Sequence, residues 1–338
     1  MKTYLVTLTP HEPYFFGNEK TFLFDKEANQ GQRGNSYFIR SERTPLQSTL
    51  MGLMRYILMP YKDFDHADEN APVIGKESFK IDAENQSFGV IKSLSPLFLM
   101  KNGEKYIVAP FDCKPNVSAY TPFSNYKRIN TVDGEKLFTP DYDPKEGISD
   151  SYMKLSDGVI VPSYEIFGKE TRVGNLKSER GNNKKGFFKK EYVYLKDKFC
   201  FAFYAELDDS AVIPEEKTQA FLGQGKSLFT VAFIEQENTL ESEVKKLLPE
   251  GVSYCLSDVF ADAEILKHSQ FSIVETRDYR AYMTNPGGRI TKDSVLYKLI
   301  KAGSVFFVNG KAQFGILTDK TNCRLAGFNC IVTKEEKA

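Results

Sequence analysis

Between Arg172 and Lys190 the chain carries Arg172, Lys177, Arg180, Lys184, Lys185, Lys189 and Lys190 against a single acid, Glu179. Seven bases less one acid is +6 over nineteen residues, in a chain whose 45 basic and 45 acidic residues cancel. A basic run is ordinarily a solvated face. This one is set apart by its scarcity of acid and by Gly174, Gly181 and Gly186, which let it turn or move. Phe187, Phe188, Tyr192 and Tyr194 lie directly behind it. Cations pair with phosphates while flat rings stack on unpaired bases, so the pattern points to contact with a single-stranded nucleic acid.

The segment Gly223–Ser227 ("GQGKS") invites a second chemistry. A nucleotide-binding phosphate loop would need a glycine where Ala220 stands and a helix afterwards, whereas "LFTVAFI" reads as a strand, so nucleotide hydrolysis is rejected. Gly223, Gln224, Gly225 and Lys226 can still present backbone N–H groups and a cation to a nucleic-acid phosphate. The alternative is a helix C-cap followed by a turn. His11, beside Glu12, is the one histidine placed as a general base for RNA cleavage. No second histidine, Ser/His/Asp set or carboxylate pair accompanies it, so it reads as a structural or binding residue. The acidic stretches "DFDHADEN" and "DYDPKEG" lack calcium-loop spacing and read as solvated loops. Cys113, Cys200, Cys255, Cys323 and Cys330 form no C-x-x-C, and the 3 histidines are scattered. No metal site and no cofactor are expected, and a reduced, cytoplasmic compartment fits.

The elements that must position these groups follow from composition and period. A length of 338 residues favours two domains over one core. The 27 Phe and 18 Tyr without Trp favour β-rich structure. No apolar run reaches the roughly 20 residues that span a bilayer, so no membrane partner is expected. Tyr4, Val6 and Leu8 alternate, which makes Lys2–Thr9 a first strand rather than part of a secretory signal. The polar, glycine-containing stretch at 25–40 reads as a loop. The clearest helix follows "RTPLQSTLMGLMRYIL", with Thr44 as N-cap, Pro45 in the first helical position and Gln47 at the capping-box position. Leu46, Leu50, Leu53, Met54, Ile57 and Leu58 form its apolar face, with Ser48, Gly52 and Arg55 opposite. Residues 60–90 and 112–150 read as long insertions, and 169–195 as a charged hairpin. "EEKTQAFLGQGKS" reads as a short helix and "LESEVKKLL" as another. "FCFAFYAEL", "LFTVAFI", "FSIVET", "AGSVFFVNG" and "AGFNCIVT" read as strands. Such strand–helix–strand segments in both halves indicate two α+β sandwiches with antiparallel sheets.

In that order, "PHEPYFFGNEKTF", "TPLQSTLMGLMR", the basic 172–195 segment, "FLGQGKS", "AGSVFF" and terminal "GFN" resemble the RAMP superfamily of CRISPR proteins. Within it the chain is most similar to the third-subunit family of the type III-B Cmr effector complex. The family's helix motif is seen in Ser48, Thr49, Leu50, Gly52 and Arg55, and its late glycine loop around Gly223–Gly225. The resemblance implies two ferredoxin-like (RRM-like) domains, written as residues 1–165 with insertions and 166–338 including the basic arm 169–195. It implies a non-catalytic subunit that binds the repeat-derived 5′ handle of crRNA within a hetero-oligomeric complex. Its partners would be a large Cas10-type subunit and Cmr-type backbone subunits. The candidate RNA-binding residues are Phe16, Asn18, Lys20, Arg43, Ser48, Arg55, Arg172, Asn175, Lys177, Arg180, Lys184, Lys185, Phe187, Gly223, Gln224, Gly225 and Lys226. The readings kept beside this one are a metal-independent crRNA-processing endoribonuclease of the same superfamily, the equivalent subunit of a type III-A complex, and a structural assembly protein without RNA contact.

Overall fold

The computed structural model describes residues 1–17, 22–24, 37–62, 66–123, 127–138, 145, 147–176, 186–214, 217–223, 225–284, 290–292, 295–308 and 319–334. The strands of the first part of the chain are β1 (Lys2–Pro10), β2 (Phe22–Phe24), β3 (Tyr37–Ile39), β4 (Ile91–Leu94), β5 (Phe98–Lys101), β6 (Glu104–Val108), β7 (Lys127–Thr131), β8 (Gly134–Phe138), β9 (Ser151–Lys154), β10 (Ile160–Pro162), β11 (Phe167–Leu176) and β12 (Gly186–Leu195). They are followed by β13 (Cys200–Leu207), β14 (Lys217–Leu222), β15 (Ser227–Glu235), β16 (Val252–Cys255), β17 (Ser269–Ile273), β18 (Thr276–Tyr279), β19 (Tyr282–Thr284), β20 (Ile290–Lys292), β21 (Tyr297–Ile300), β22 (Val305–Val308) and β23 (Ile331–Thr333). The helices are α1 (Gln47–Leu58), α2 (Ala67–Ile74), α3 (Ser163–Ile166), α4 (Leu240–Leu247) and α5 (Thr321–Leu325), with a 3-10 turn at Ala263–His268.

Two antiparallel sheets repeat one strand order. The larger runs β10-β9-β6-β5-β13-β1-β15-β14, with β4 also paired to β13. At its centre β1 lies between β13 and β15, and β13 lies between β1 and β5. Counting from β1 through α1 to β5, β13 and β15, this is the 4-1-3-2 order of a ferredoxin-like unit. The smaller sheet, β17-β22-β16-β23, has the same order counted from β16, with the 3-10 turn and α5 in the two helical positions. The fold is therefore α+β with antiparallel sheets, as the residue pattern indicates. The boundary expected at residue 165 falls within the span of the larger sheet. β13 and β15, which follow it, pair directly with β1, which precedes it, so the passage from one sheet to the other falls after β15.

The alternation of β1 explains the layers. Val6 and Leu8 face α1, where Leu50, Met51, Leu53, Met54 and Leu58 are buried against them. Leu5 faces the other way with Phe98, Ala202 and Tyr204, against Leu240 and Val244 of α4 and Tyr254 and Val305 of the second sheet. The first sheet is thus covered on both faces, by α1 on one side and by α4 and the second sheet on the other. No helix among the described residues is long and apolar enough to cross a membrane.

Three local expectations change. α1 begins at Gln47, with Leu46 in the N-cap position and no side-chain cap, so Thr44 does not cap it. Gln47 is drawn into the core, donating to Ser95 O (2.9 Å) and Ala326 O (3.3 Å) and accepting from Leu97 N (3.1 Å). Its side chain cannot also reach back as a capping box requires. The expected helix before Gly223 is β14: Ala220 and Leu222 are buried while Gln219 and Phe221 are exposed, a period of two that pairs along β15. The expected loop at 25–40 contains β3, which runs parallel to β12. The insertions carry α2 and the β7–β8 hairpin.

Candidate nucleic-acid interface

The basic segment is rooted in a two-stranded ribbon. β11 and β12 pair from Phe167↔Leu195 to Leu176↔Gly186, which sets Arg172 opposite Lys190, Glu170 opposite Tyr192 and Gly168 opposite Tyr194. Residues two apart share a face, so Arg172, Lys190 and Tyr192 stand together. The Arg172 guanidinium lies 4.6 Å from the centre of the Tyr192 ring, and its Nε donates to Glu170 at 2.7 Å. Lys190 Nζ lies 3.9 Å from the centre of the Phe15 ring and 5.0 Å from that of Tyr192. The Phe15 and Tyr192 rings meet edge to face at 6.1 Å. On the opposite face of the ribbon Lys169 pairs with Glu191 at 3.2 Å.

The glycine segment is the turn between β14 and β15. Lys226 N donates to Gly223 O at 3.1 Å, Gly223 has φ +78° and Lys226 φ +50°. A Cβ at Gly223 would stand 2.5 Å from Phe15 O and 3.0 Å from the Phe16 ring, so this turn packs on the 15–16 backbone as only glycine allows. A Cβ at Gly225 would meet Phe15 at 3.5 Å and the Tyr192 ring at 3.9 Å. Phe15 therefore joins the two features: the glycine turn on one side and the Lys190–Tyr192 edge of the ribbon on the other. The segment holding it is tied down by paired backbone bonds between Tyr14 and Val193 (2.7 and 3.0 Å) and by His11 N donating to Leu228 O (3.0 Å).

Of the residues singled out in the sequence, the structure brings Arg172, Gly223, Gly225 and Lys226 to this place. Asn175 and Phe187 face each other in the ribbon register, with their backbones alone described. Asn18, Lys20, Lys177, Arg180, Lys184, Lys185 and Gln224 lie outside the described residues. Phe16 is a core ring: it is 4% exposed and stacks on Phe229 at 6.3 Å. Arg43 is committed internally, ion-paired with Asp150 and donating to Ser163 Oγ at 3.0 Å. Burial pushes the Asp150 carboxyl upward, and the hydrogen bonds from Arg43 and Ser163 together with the Arg43 charge outweigh it, leaving the pKa lowered. Arg55 holds Gly75 O and Glu77 O, each at 2.9 Å, and burial lowers its pKa. It braces the turn after α2, while Ser48 sits half-buried on α1. Phe15, Lys190 and Tyr192 were not singled out as site residues. The signal available for the last two was alternation along β12, which puts Lys190 and Tyr192 on one face of the strand; the register then sets Arg172 beside them.

His11 is exposed, with Nε2 2.7 Å from Thr230 Oγ1. Among the described residues no group of three or more His, Cys, Asp or Glu is disposed to hold a metal ion. The five cysteines are unpaired thiols. What the patch offers is two ring-backed cations beside a tight backbone turn, an arrangement suited to anionic oxygens.

Comparison with known proteins agrees with the fold. Residues 6–256 match the family model described as CRISPR-associated protein (Cas_Cmr3). The chain is similar to one in the cryo-EM structure of the type III-B Cmr-beta bound to cognate target RNA, with TM-score 0.54 and 12% identity over 97% of this chain and 96% of that one. It is also similar to one in the structure of the type III-B Cmr-beta bound to cognate target RNA and AMPPnP, state 1, with TM-score 0.51 and 13% identity over 97% and 95% of the two chains. No match is found among curated proteins.

Proposed function

The chain belongs to the CRISPR-associated Cas_Cmr3 family, and on that premise we propose that it is a non-catalytic RNA-binding subunit of a type III CRISPR effector complex. It holds the repeat-derived 5′ handle of the crRNA and bridges a Cas10-type large subunit to the backbone subunits, in the cytoplasm. The observation that carries this reading is the junction at Phe15, where the glycine turn and the Arg172–Lys190 pair meet on one surface. Cations held together at one place beside a close backbone turn suit the phosphates of a sugar–phosphate chain. Binding is favoured over cleavage because the nearest general-base candidate, His11, has a threonine hydroxyl at 2.7 Å rather than a carboxylate to orient it.

The test is the affinity of the purified full chain, alone and with its co-purifying subunits, for labelled repeat-handle RNA, for RNA of scrambled sequence and for a duplex. The account expects intact RNA after incubation and tighter binding of the single-stranded handle than of the duplex. Site-specific cleavage that is lost in His11→Ala would favour the endoribonuclease instead. Absence of RNA binding, both alone and in the assembly, would favour a structural role.

A further inference from the structure

We propose that Arg172 and Lys190 form a phosphodiester clamp, one that grips the backbone of a single-stranded nucleic acid and takes no part in reading bases. This deepens the RNA-binding reading above and rests on it. The two residues are direct cross-strand partners in the β11–β12 register, so their side chains leave one face of the ribbon at neighbouring points. Each cation is backed by a ring. Arg172 stands 4.6 Å from the Tyr192 ring centre, and Lys190 stands 3.9 Å from Phe15 and 5.0 Å from Tyr192. Glu170 accepts from Arg172 through Nε, so the terminal nitrogens of the guanidinium fork keep their geometry for a second acceptor.

This arrangement assigns the described rings a different task from base stacking. Phe15 is 1% exposed, and its ring faces Lys190, Tyr192 and the glycine turn. Tyr192 is half-buried, with Arg172 over its ring and Lys190 beside it. Their faces are already occupied by cations of the same chain. Their effect is to hold two long, flexible side chains in place before ligand arrives, which lowers the ordering cost of binding. A preorganised pair of cations on a ribbon, next to the glycine turn, matches two anionic oxygens of a sugar–phosphate chain. Phosphates carry no sequence information. The clamp thus sets affinity and position, and any preference for the handle sequence arises elsewhere in the site.

The experiment is a salt titration of binding by the full chain, using three probes of equal length: handle RNA, scrambled RNA and single-stranded DNA of the handle sequence. For single strands each phosphate contact contributes about −0.7 to the slope of log K against log salt. Arg172→Gln with Lys190→Gln should flatten the slope by about 1.4 for all three probes alike, leaving the ratio of affinities among them unchanged. Lys190→Arg should restore its share of the slope. Tyr192→Leu should weaken binding with the slope kept, because the charges remain and only their ordering is lost. An unchanged slope in the double variant, with RNA still bound, would overturn the clamp and leave the RNA-binding reading standing. So would a loss confined to one probe sequence. No binding of any RNA by the wild-type chain, alone or assembled, would overturn the wider reading first.

Discussion

Arg277 of β18 reaches Glu42, which lies 235 residues earlier, with Nη2 3.0 Å from Glu42 Oε2. Its other terminal nitrogen donates to Asp258 at 3.0 Å, and Asp258 accepts in turn from Ala302 N at 3.0 Å. Glu42 is also the residue whose backbone N–H bonds to Phe16 O at 2.8 Å. One guanidinium therefore ties the strap beside Phe15 and Phe16 to the segment that follows the first strand of the second sheet. Arg277→Met should lower stability by about 3 kcal/mol or more, because it leaves two carboxylates facing each other with the shared cation gone. Denaturant unfolding measures this, and a loss under about 1 kcal/mol would show that the two parts do not depend on this link.

Gly327 is a second anchor. It has φ +82°, and a Cβ there would collide with Gln47 Nε2 and stand 2.7 Å from Ser95 O. Gly327→Ala should destabilise by about 2 kcal/mol or more, through left-handed strain and displacement of Gln47. Gln47→Ala should cost a similar amount, about 1–3 kcal/mol, since Leu97 N and Ser95 O would lose a buried partner. Thermal or denaturant midpoints report both, and near-neutral values would mean that α1 is not held through this contact.

Asp112 predicts a pH dependence. Its carboxyl is fully buried and burial raises its pKa to about 6, with the Tyr120 hydroxyl, at 2.9 Å, pulling the other way. The folded chain therefore keeps this proton to a higher pH than the unfolded chain does, where the pKa is near 4. Stability from this group is fully present below about pH 4 and is lost as pH rises to about 6, an effect of about 3 kcal/mol at most. Asp112→Asn keeps an acceptor for Tyr120 and should remove that fall. Stability curves at pH 4 and pH 7 that run parallel in wild type and variant would contradict the assignment.

The glycine turn should discriminate between its two glycines. Gly223 has φ +78° and would place a Cβ 2.5 Å from Phe15 O, whereas the contact at Gly225 would be an ordinary 3.5 Å. Gly223→Ala should strain the turn by about 1–3 kcal/mol and weaken RNA binding through Phe15. Gly225→Ala should leave stability within about 0.5 kcal/mol. Equal tolerance of both would mean that the turn does not need to approach Phe15.

What the residues alone revealed follows the strength of their periodicity. β15 alternates cleanly, β1 and β13 carry Val6 with Leu8 and Phe201 with Phe203 at a spacing of two, and α1 keeps its 3.6-residue face, so the central sheet and its helix were legible. β14 was not: Lys217–Leu222 extends a run of helix-favouring residues, and pairing with β15 overrides that preference. The sheet boundary was hidden because a strand beside β1 can come from any distance along the chain. At the site, Phe15 and Phe16 are both buried, and it is the packing of the folded chain that sets Phe15 beside Lys190. The positive segment was plain from charge. Which of its cations meet a ring depended on a register that no local pattern encodes.

The central claim is that crRNA lies against the basic ribbon and the glycine turn. Photo-cross-linking of the assembled effector complex to crRNA carrying photoreactive bases in the 5′ handle, followed by peptide mapping of this subunit, tests it most directly. The account predicts cross-links within residues 169–195 and 220–228, reduced in the Arg172→Gln, Lys190→Gln variant. Cross-links that avoid both segments while mapping elsewhere on the subunit would contradict it.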